Sequence, residues 1–473
     1  MTTSTDILVI GGGPAGVMAA KRAADLGART TLVTRDKFGG MAANDGPIPV
    51  RTLAHAARLL RDAGQLGQYG IEVGKPALNY ARLIERVNQV TADVRAHSLR
   101  PEHLKDLGVT IRENAGTARF IDPHTVQTED GAIIGAGKII LCCGGKSRRL
   151  AVPGFELTAT HSDAWGLTEI PASIMVIGAG ATGAQVASIF NSFGSKIQLF
   201  QASPRILTTE DEDVSASVAA WFRKLGIDVR EGFGTIESFE KTPDGVRMNF
   251  SKDGVQHSAE ASLAVVAIGW QADTEGLNLS SSGVETNERG YVQVDRFLRT
   301  TAEHIFAAGD VTGRMMLVPQ ATQDGFVAAT NAVNGADTNL GEQVSPIGSF
   351  TDPEYAQVGL TEANARKTHD VVIGTVQFDE TARTIIDSRT VGFCKLIVDR
   401  ESRAILGCHV VGERAVEIVQ VVTIAIAVGM KVNEFARIAL SFPTYAGILT
   451  RAAYRATEQL EPQLDWQTQQ VGV

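Results

Sequence analysis

Two copies of one short pattern constrain the fold of this 473-residue chain more than any other feature, and their turns begin at Gly11 and Gly178, 167 residues apart. Each copy is an apolar run, a glycine-rich turn, a segment of helical character and a second apolar run, over Asp6–Val33 and Ser173–Phe200.

The first apolar run of each copy, Asp6–Ile10 or Ser173–Ile177, predicts a buried parallel strand. In the first copy, Val17–Leu26 predicts the helix and Thr30–Val33 predicts the second strand. A strand, a helix and a strand in this order form a βαβ unit, so the repeat predicts two separate dinucleotide-binding domains.

The first turn has the G-x-G-x-x-G spacing, as Gly11-Gly12-Gly13-Pro14-Ala15-Gly16. The first glycine permits the tight turn, the second lets a pyrophosphate approach the backbone, and the third lets the helix pack on the strand. The helix N-terminus offers free N–H groups to phosphates. The carboxylate expected for the ribose is absent, since Thr34 ends the second strand and Arg35 follows. We expect a dinucleotide at these residues, with a ligand-free glycine turn as the alternative.

The second turn repeats the spacing, as Gly178-Ala179-Gly180-Ala181-Thr182-Gly183. The position that reads the ribose holds Gln201, which does not repel a 2′-phosphate as a carboxylate would. Ser203 and Arg205 follow and are candidate contacts for such a phosphate. The pattern therefore favours NADP(H) over NAD(H), although Arg205 as a solvated surface charge is the alternative.

Composition and charge exclude several classes of protein. The net charge of −9 gives no basic surface for nucleic acid. The first residues show no export signal, and four cysteines form no disulfide framework, so we expect a cytoplasmic protein. The most apolar helical run, Ile418–Val428, is far shorter than the ~20 residues that cross a bilayer. It predicts a buried helix and no membrane insertion. We predict no metal site.

Further motifs give the chain a resemblance to the pyridine nucleotide-disulfide oxidoreductases, such as dihydrolipoamide dehydrogenase, glutathione reductase and mercuric reductase. Cys142-Cys143-Gly144 stands where that family has Ala-Thr-Gly, and Thr301–Asp310 resembles its second FAD motif. Phe350–Glu362 and Leu406–Gly412 resemble parts of its dimerisation domain.

The resemblance implies an α/β fold with two Rossmann-like dinucleotide-binding domains, for FAD and NAD(P), and a C-terminal α+β dimerisation domain. The implied order is FAD-binding domain over 1–148 and 273–338, NAD(P)-binding domain over 149–272, dimerisation domain over 339–460 and a flexible tail over 461–473. It also implies a homodimer. In the family the carboxylate at Asp310 contacts the ribityl chain of the flavin. Further cofactor-binding residues assigned from the resemblance are Gly39, Gly40, Met41, Ala118, Gly144, Gly269, Gly309, Pro319, Gln320 and Ala321.

The resemblance fails at the catalytic centre. The family's G-G-x-C-x4-C-x-P-S-K reads here as Gly39–Arg51, with Ala42 and Pro47 in the cysteine positions and Arg51 in the lysine position. The glutamate that pairs with that lysine becomes Gln185. The C-terminal H-P-T-x-x-E reads Phe442–Gly447, so both members of the family's acid/base dyad are replaced.

These replacements predict an FAD-dependent NAD(P)H oxidoreductase that passes electrons directly from reduced flavin to a small non-thiol acceptor, such as a quinone. Ala42 and Pro47, with Phe442 and Tyr445 of the partner subunit, would line an apolar slot for a flat acceptor. Arg51 would stabilise an anionic flavin or a quinol oxyanion, with a surface ion pair as the alternative. Tyr445 is a candidate acid/base group or a packing residue, and packing is favoured.

Other functions stay open from the sequence. The chain would also suit an electron-transfer flavoprotein that serves a protein partner, or a flavin-binding redox sensor or pseudoenzyme. The adjacent Cys142 and Cys143 are interpreted as small core residues rather than as a vicinal disulfide.

Overall fold

The N-terminal part of the chain builds one mixed sheet with helices around it. The structure is a computed structural model that describes residues 2–341 and 344–460. Up to residue 147 its elements are β1 (Thr2–Ile10), α1 (Pro14–Asp25), β2 (Thr30–Val33), α2 (Gly40–Asn44), α3 (Pro47–Ala63), α4 (Tyr80–Val94), α5 (Pro101–Asp106), β3 (Thr110–Arg112), β4 (Ala118–Asp122), β5 (Thr125–Thr128), β6 (Ile133–Leu141) and β7 (Gly145–Ser147).

Strand β1 lies in the middle of this sheet, in the order β3-β2-β1-β6-β5-β4. It pairs in parallel with β2 on one side and β6 on the other. All four residues of β2 are buried, which accounts for its continuous apolar and β-branched sequence. The predicted βαβ unit is therefore confirmed, with β2 at the predicted bounds.

The second glycine turn belongs to a separate parallel sheet. Its part of the chain contains α6 (His161–Trp165), β8 (Ser173–Ile177), α7 (Ala181–Ser192), β9 (Lys196–Gln201), α8 (Glu212–Lys224), β10 (Asp228–Glu231), β11 (Thr235–Thr242), β12 (Gly245–Lys252), β13 (Val255–Ala261), β14 (Leu263–Val266) and β15 (Trp270–Ala272). The parallel order is β10-β9-β8-β14, and β11, β12 and β13 form an antiparallel sheet beside it. An antiparallel ribbon of β7 and β15 connects the two parts.

The chain then returns to the first sheet. Strand β16 (Ile305–Ala307) pairs in parallel with β6, and helix α9 (Val318–Asn334) packs against α1. The packing is close because a Cβ added to Gly325 of α9 would overlap the backbone carbonyl of Ala15 in α1. This return places Gly309 and Asp310, which follow β16, beside the first glycine turn.

The C-terminal part is an antiparallel sheet covered by helices. Its elements are β17 (Ile347–Ser349), β18 (Tyr355–Gly359), α10 (Glu362–Ala365), β19 (Val371–Gln377), α11 (Ala382–Ile386), β20 (Phe393–Asp399), β21 (Ile405–Val411), α12 (Ala415–Ala427), α13 (Val432–Phe435) and α14 (Gly447–Leu460). The strand order is β17-β18-β21-β20-β19, and α12 and α14 pack on this sheet. The architecture is the predicted α/β fold with two Rossmann-like parts and an α+β part.

Helix α12 corrects one prediction. Ile418 and Val422 on its inner face are buried, but Ile424 and Val428 on its outer face are 66% and 67% exposed. The expectation of a buried helix is wrong for the single chain, because only one face meets the sheet. No helix within 2–341 and 344–460 is long and apolar enough to span a membrane. The predicted flexible tail, 461–473, lies outside the described residues.

Candidate functional site

The first glycine turn forms a close junction between β1, α1 and the end of β6. A Cβ on Gly11 would overlap the carbonyl of Cys142, and one on Gly16 would overlap the carbonyl of Gly11. Gly13 is the N-cap of α1 and provides no side-chain cap, while Pro14 and Ala15 begin the helix. Because no side chain caps this end of α1, its first N–H groups remain available to a pyrophosphate.

A second glycine pair completes this surface. Gly39 and Gly40 begin α2, and a Cβ on Gly40 would lie 2.7 Å from the Cα of Gly13. Met41 follows in α2, and its carbonyl accepts a hydrogen bond from the N–H of Asp45. Two backbone segments without side chains therefore meet where the dinucleotide is expected.

The ribose position differs from a simple carboxylate site. Thr34 is buried, and its hydroxyl donates to the carbonyl of Asp36, so only its lone pairs remain for a ribose. Arg35 forms ion pairs with Asp36 at 2.9 Å and with Asp273 at 2.7 Å. Ala118, at the start of β4, is also buried. The residues predicted to meet the adenosine end therefore offer mainly backbone groups and these ion pairs.

Two carboxylates lie beside this turn, at the junction of β16 and α9. Asp310 is half-buried, and burial and the neighbouring Asp324 raise its pKa to about 6. The buried Asp324 accepts hydrogen bonds from the side chain of Gln320 at 2.8 Å and the N–H of Gly309 at 3.3 Å. Pro319 is exposed at the first turn of α9 and Ala321 is buried behind Gly309. Hydroxyl donors of a ribityl chain would stabilise the charged form of Asp310, so these residues fit FAD.

The second turn has the same construction. A Cβ on Gly178 would overlap the carbonyl of Ala267, and one on Gly183 would overlap that of Gly178. Gly180 is the N-cap of α7 without a side-chain cap, and Ala181 and Thr182 begin the helix. Gly144 directly precedes β7 and Gly269 directly precedes β15, and both have positive φ angles. The arrangement fits a second dinucleotide.

The residues that would distinguish NADP from NAD have partners within the chain. Gln201 accepts a hydrogen bond from the N–H of Ala179 at 2.8 Å, so its side chain lies on the turn. The Arg205 guanidinium donates to the carbonyls of Leu207, Thr208 and Glu210. Ser203 accepts from the N–H of Gly232 through its own carbonyl. These three hydrogen bonds hold the Arg205 guanidinium on its own loop, and a contact with a 2′-phosphate would require it to release these carbonyls.

Arg51 and Gln185 both contact Phe350, one at its ring and the other at its backbone N–H. The Arg51 guanidinium lies 4.1 Å from the centre of this ring and 3.7 Å from Glu354. The Gln185 side chain accepts from the N–H of Phe350 at 3.3 Å and donates to the carbonyl of Ala181. Among the described residues these two side chains share no direct hydrogen bond. They replace a lysine–glutamate pair with two groups held separately on one aromatic residue.

An ion-pair network fixes α3 against the C-terminal part. A cleft of about 220 Å³ lies here, and Arg58 and Arg61 both pair with Glu413 across it. Arg61 also pairs with Asp352. Burial raises the pKa of Glu354, opposed by Arg51 and Arg58. The arginines and carboxylates of the cleft therefore balance in charge, and their ion pairs connect α3 to the C-terminal part of the chain.

Phe442 and Tyr445 differ in their environment. Phe442 is 81% exposed, which is unusual for a phenylalanine in a single chain. The Tyr445 hydroxyl donates to Asp387 at 2.8 Å, and its ring packs near Phe378. Burial and Asp387 raise the pKa of Tyr445. In this chain Tyr445 is a packing residue whose hydroxyl has a hydrogen-bond partner, whereas the ring of Phe442 is exposed to solvent.

All four cysteines are free thiols, so the two neighbours at the FAD turn form no vicinal disulfide. Burial raises the pKa of Cys142, and that of Cys143 to about 12. Cys394 and Cys408 are fully buried in the C-terminal sheet. Neither Cys142 nor Cys143 therefore has the lowered pKa of a reactive cysteine.

Sequence reasoning missed a line of four polar side chains that joins the α2–α3 turn to β7. The Ser162 hydroxyl donates to Asp45 at 2.8 Å, and it lies 3.3 Å from Nε2 of His161. Nδ1 of His161 lies 3.2 Å from the hydroxyl of Ser147. The ring of Trp270 stands edge-on to the imidazole, with centroids 4.8 Å apart. Asp45 and Ser162 are 117 residues apart, and no local motif in the sequence signals their contact.

Comparisons with known proteins agree with this geometry. The family described as "Pyridine nucleotide-disulphide oxidoreductase" matches residues 5–325, and its dimerisation domain matches residues 345–453, which supports a homodimer. Dihydrolipoyl dehydrogenase 2 of Haloarcula marismortui is 33% identical, with 96% of this chain and 97% of that protein covered. Mercuric reductase of Lysinibacillus sphaericus is 30% identical, with 95% of this chain and 82% of that protein covered.

The solved structure of the HOCl-induced flavoprotein disulfide reductase RclA from Escherichia coli has the same fold. Its TM-score is 0.84 at 24% identity, with 96% of this chain and 100% of that chain covered. The chain therefore belongs to the pyridine nucleotide-disulphide oxidoreductase family and is a flavin- and pyridine nucleotide-dependent oxidoreductase.

Proposed function

We propose that the protein is an FAD-dependent NAD(P)H oxidoreductase that passes electrons directly to a small non-thiol acceptor, most simply a quinone. The observation that carries this proposal is that no cysteine precedes Cys142, and therefore none lies in Gly39–Arg51. That stretch resembles the one that holds the family's two redox cysteines. A dithiol that relays electrons to a disulfide substrate has no counterpart there.

The remaining thiols do not replace the missing pair. Cys394 and Cys408 are fully buried, and Cys142 is buried directly after β6 of the first sheet. Because burial raises the pKa of both Cys142 and Cys143, they stay protonated at neutral pH, and a protonated thiol is a poor nucleophile. Electrons would therefore leave the enzyme without a covalent sulfur intermediate.

The turn that replaces the cysteines suits a flat apolar acceptor. Ala42 is half-buried and Pro47 is exposed, so both can contact a molecule placed against this turn. Bound FAD would accept a hydride from NAD(P)H and supply two electrons at this position. Arg51 supplies a positive charge near the α3 end of the same stretch, where an oxyanion would gain from it.

Gln201 supports use of NADPH at least as readily as NADH, because it places no carboxylate near a 2′-phosphate. Its side chain is fixed on the N–H of Ala179, as a ribose-reading side chain would be. This proposal does not depend on Arg205, whose donors are engaged by three carbonyls. We further propose that Phe442 reaches the acceptor slot of the partner subunit, which would cover its exposed ring.

An acceptor screen tests the proposal. The purified protein, made anaerobic, should be bleached by NAD(P)H and recover its oxidised flavin spectrum when menadione is added. Lipoamide, glutathione disulfide and mercuric ion should not reoxidise it at comparable rates. A double variant, Cys142→Ala with Cys143→Thr, introduces the family's residues and should keep menadione reduction.

The outcomes separate the alternatives. Rapid reduction of lipoamide, or loss of menadione reduction in the double variant, would contradict electron transfer without thiols. Bleaching without reoxidation by any small acceptor would favour an electron-transfer flavoprotein that serves a protein partner. A protein that binds flavin but is not bleached would favour a redox sensor or pseudoenzyme.

A further inference from the structure

The line Asp45–Ser162–His161–Ser147 forms a continuous hydrogen-bonded path with a fixed direction. A carboxylate only accepts hydrogen bonds, so the Ser162 hydroxyl must donate to Asp45. The oxygen of Ser162 then accepts from Nε2–H of His161, and Nδ1 of the neutral ring accepts from the hydroxyl of Ser147. The carboxylate therefore orients every proton along the path.

The path has accessible ends and a protected centre. His161 is buried beneath the edge of Trp270, whereas Asp45 and Ser147 are half-buried. Burial lowers the pKa of His161, while the facing charges of Asp45, on the α2–α3 turn, and Asp163, on its own helix, oppose that effect. A neutral imidazole with two bonded nitrogens can take a proton at one side and release one at the other.

The two ends of the path lie in the turn of the proposed acceptor slot and at the end of β7. Asp45 lies between Ala42 and Pro47, in the turn that forms the proposed acceptor slot. Ser147 ends β7, whose first residue, Gly145, approaches the Asp310 side chain: a Cβ on Gly145 would lie 3.7 Å from that of Asp310. The path therefore runs from the turn between α2 and α3 to the ribbon of β7 and β15, which joins the two dinucleotide-binding parts.

Reduction of a quinone needs a proton that the nucleotide does not supply. NAD(P)H gives one hydride, which is two electrons and one proton, so the balance is NAD(P)H + quinone + H⁺ → NAD(P)⁺ + hydroquinone. The family's C-terminal acid/base dyad has no counterpart in Phe442 and Gly447. A proton source within the chain itself would fill this role.

We propose that Asp45 is the proton donor to the acceptor and that His161, acting through Ser162, restores its proton. A solvent proton enters at Ser147 and displaces one onto Nδ1 of His161. Nε2 passes its proton to Ser162, and Ser162 passes its own to Asp45. The O–H bond of Asp45 then breaks as the hydroquinone anion takes the proton, and the carboxylate returns. This inference rests on the proposed function, because only an acceptor that takes up protons needs the path.

The experiment compares an acceptor that takes up protons with one that does not. Menadione requires protons on reduction, whereas ferricyanide takes one electron and no proton. In Asp45→Asn and His161→Gln, reoxidation of the reduced enzyme by menadione should slow at least about 100-fold, which is the lower end of the contribution that general acid catalysis usually makes. Reoxidation by ferricyanide should keep the wild-type rate. His257→Gln is the matched control, because His257 lies exposed on β13 and packs on Phe250 outside the site.

A second measurement does not depend on turnover. Histidine resonances of protein labelled with ¹⁵N-histidine can be titrated, and His161→Gln identifies the signal of His161 among the nine histidines. In Asp45→Asn the pKa of His161 should fall, because the carboxylate charge that favours the imidazolium is gone. Asp45→Asn keeps an acceptor for Ser162, so its rate of reoxidation by menadione tests the path even if His161→Gln does not fold.

Failure of the proposed function and failure of the proton path would give different results. If the wild type reduces ferricyanide but not menadione, the proposed function is wrong and this inference is wrong with it. If the wild type reduces menadione and Asp45→Asn does so at the same rate, the function stands and the proton path is wrong. An unchanged His161 titration in Asp45→Asn would also overturn the path, since the two groups would then not be coupled.

Discussion

Gly180→Ala should separate nucleotide binding from folding at the second turn. Gly180 has a φ of −77°, which alanine adopts without strain, and an added Cβ would have no heavy atom within 4 Å. The methyl group would instead occupy the open space before the N-terminus of α7. Because a pyrophosphate approaches the backbone at this glycine, we expect weaker NAD(P)H binding in a normally folded protein.

The size of the effect follows from the contacts that a methyl group would block. A hydrogen bond between a backbone N–H and a charged phosphate contributes about 1.5–3 kcal/mol. Loss of one such bond raises the dissociation constant for NAD(P)H roughly 10- to 100-fold, since about 1.4 kcal/mol corresponds to tenfold. FAD content and melting temperature should not change, because no packing contact of β8 or α7 is altered.

Rapid mixing of the oxidised enzyme with increasing NAD(P)H gives this dissociation constant from the rate of flavin bleaching. Gly183→Ala is the contrasting variant, because its Cβ would overlap the carbonyl of Gly178, and it should lower the melting temperature. Gly67→Ala, also with open space around its Cβ, should match the wild type in both measurements. Unchanged NAD(P)H affinity in Gly180→Ala would refute the placement of the nucleotide on this turn.

Three further predictions concern specificity, assembly and pH. Gln201→Glu should lower the preference for NADPH over NADH about tenfold, measured as the ratio of kcat/KM values, and an unchanged ratio would show that Gln201 does not face the 2′ position. Phe442→His should alter menadione affinity in a dimer and leave bleaching by NAD(P)H unchanged; a fully active monomer in light scattering would contradict the shared slot. Burial raises the pKa of Glu210 from 4.5 to about 7. At pH values between these two, the folded chain holds a proton on Glu210 that the unfolded chain has lost. The stability that this proton contributes therefore falls as pH rises through that range. Glu210→Gln should therefore flatten the fall in urea midpoint between about pH 4.5 and 7, and an unchanged slope would show that Glu210 is not the group responsible.

The fold could be predicted because its determinants are local. Strands β2 and β8 were predicted at the observed residues, since both are short apolar runs next to glycine turns. Their neighbours were placed less well. Helix α1 begins at Pro14 rather than Val17 because proline favours the first helical position. Strand β1 extends back to Thr2 because it pairs with Ile133 of β6, a contact the sequence does not reveal.

The candidate site was predictable only where a residue acts through its own backbone. The glycine turns satisfy this condition, because the space beside Gly11 and Gly183 is limited by the backbone carbonyls of Cys142 and Gly178. Side-chain partners were not predictable. The three carbonyls that hold Arg205, and the contact between Asp45 and Ser162, depend on how the chain folds around each position.

The distribution of replaced residues argues for altered chemistry rather than decay. A protein released from selection would accumulate changes at the turns as readily as elsewhere, yet Gly11, Gly16 and Gly183 all remain where any side chain would overlap backbone. The replacements instead concentrate where the resemblance places thiol chemistry, at Gly39–Arg51 and Phe442–Gly447. A proton donor for a thiol leaving group has no role once the thiols are absent. The retained residues form the two glycine turns, and the replaced residues lie where the proposed acceptor would bind, which is the distribution expected if hydride uptake is kept and only the electron acceptor differs.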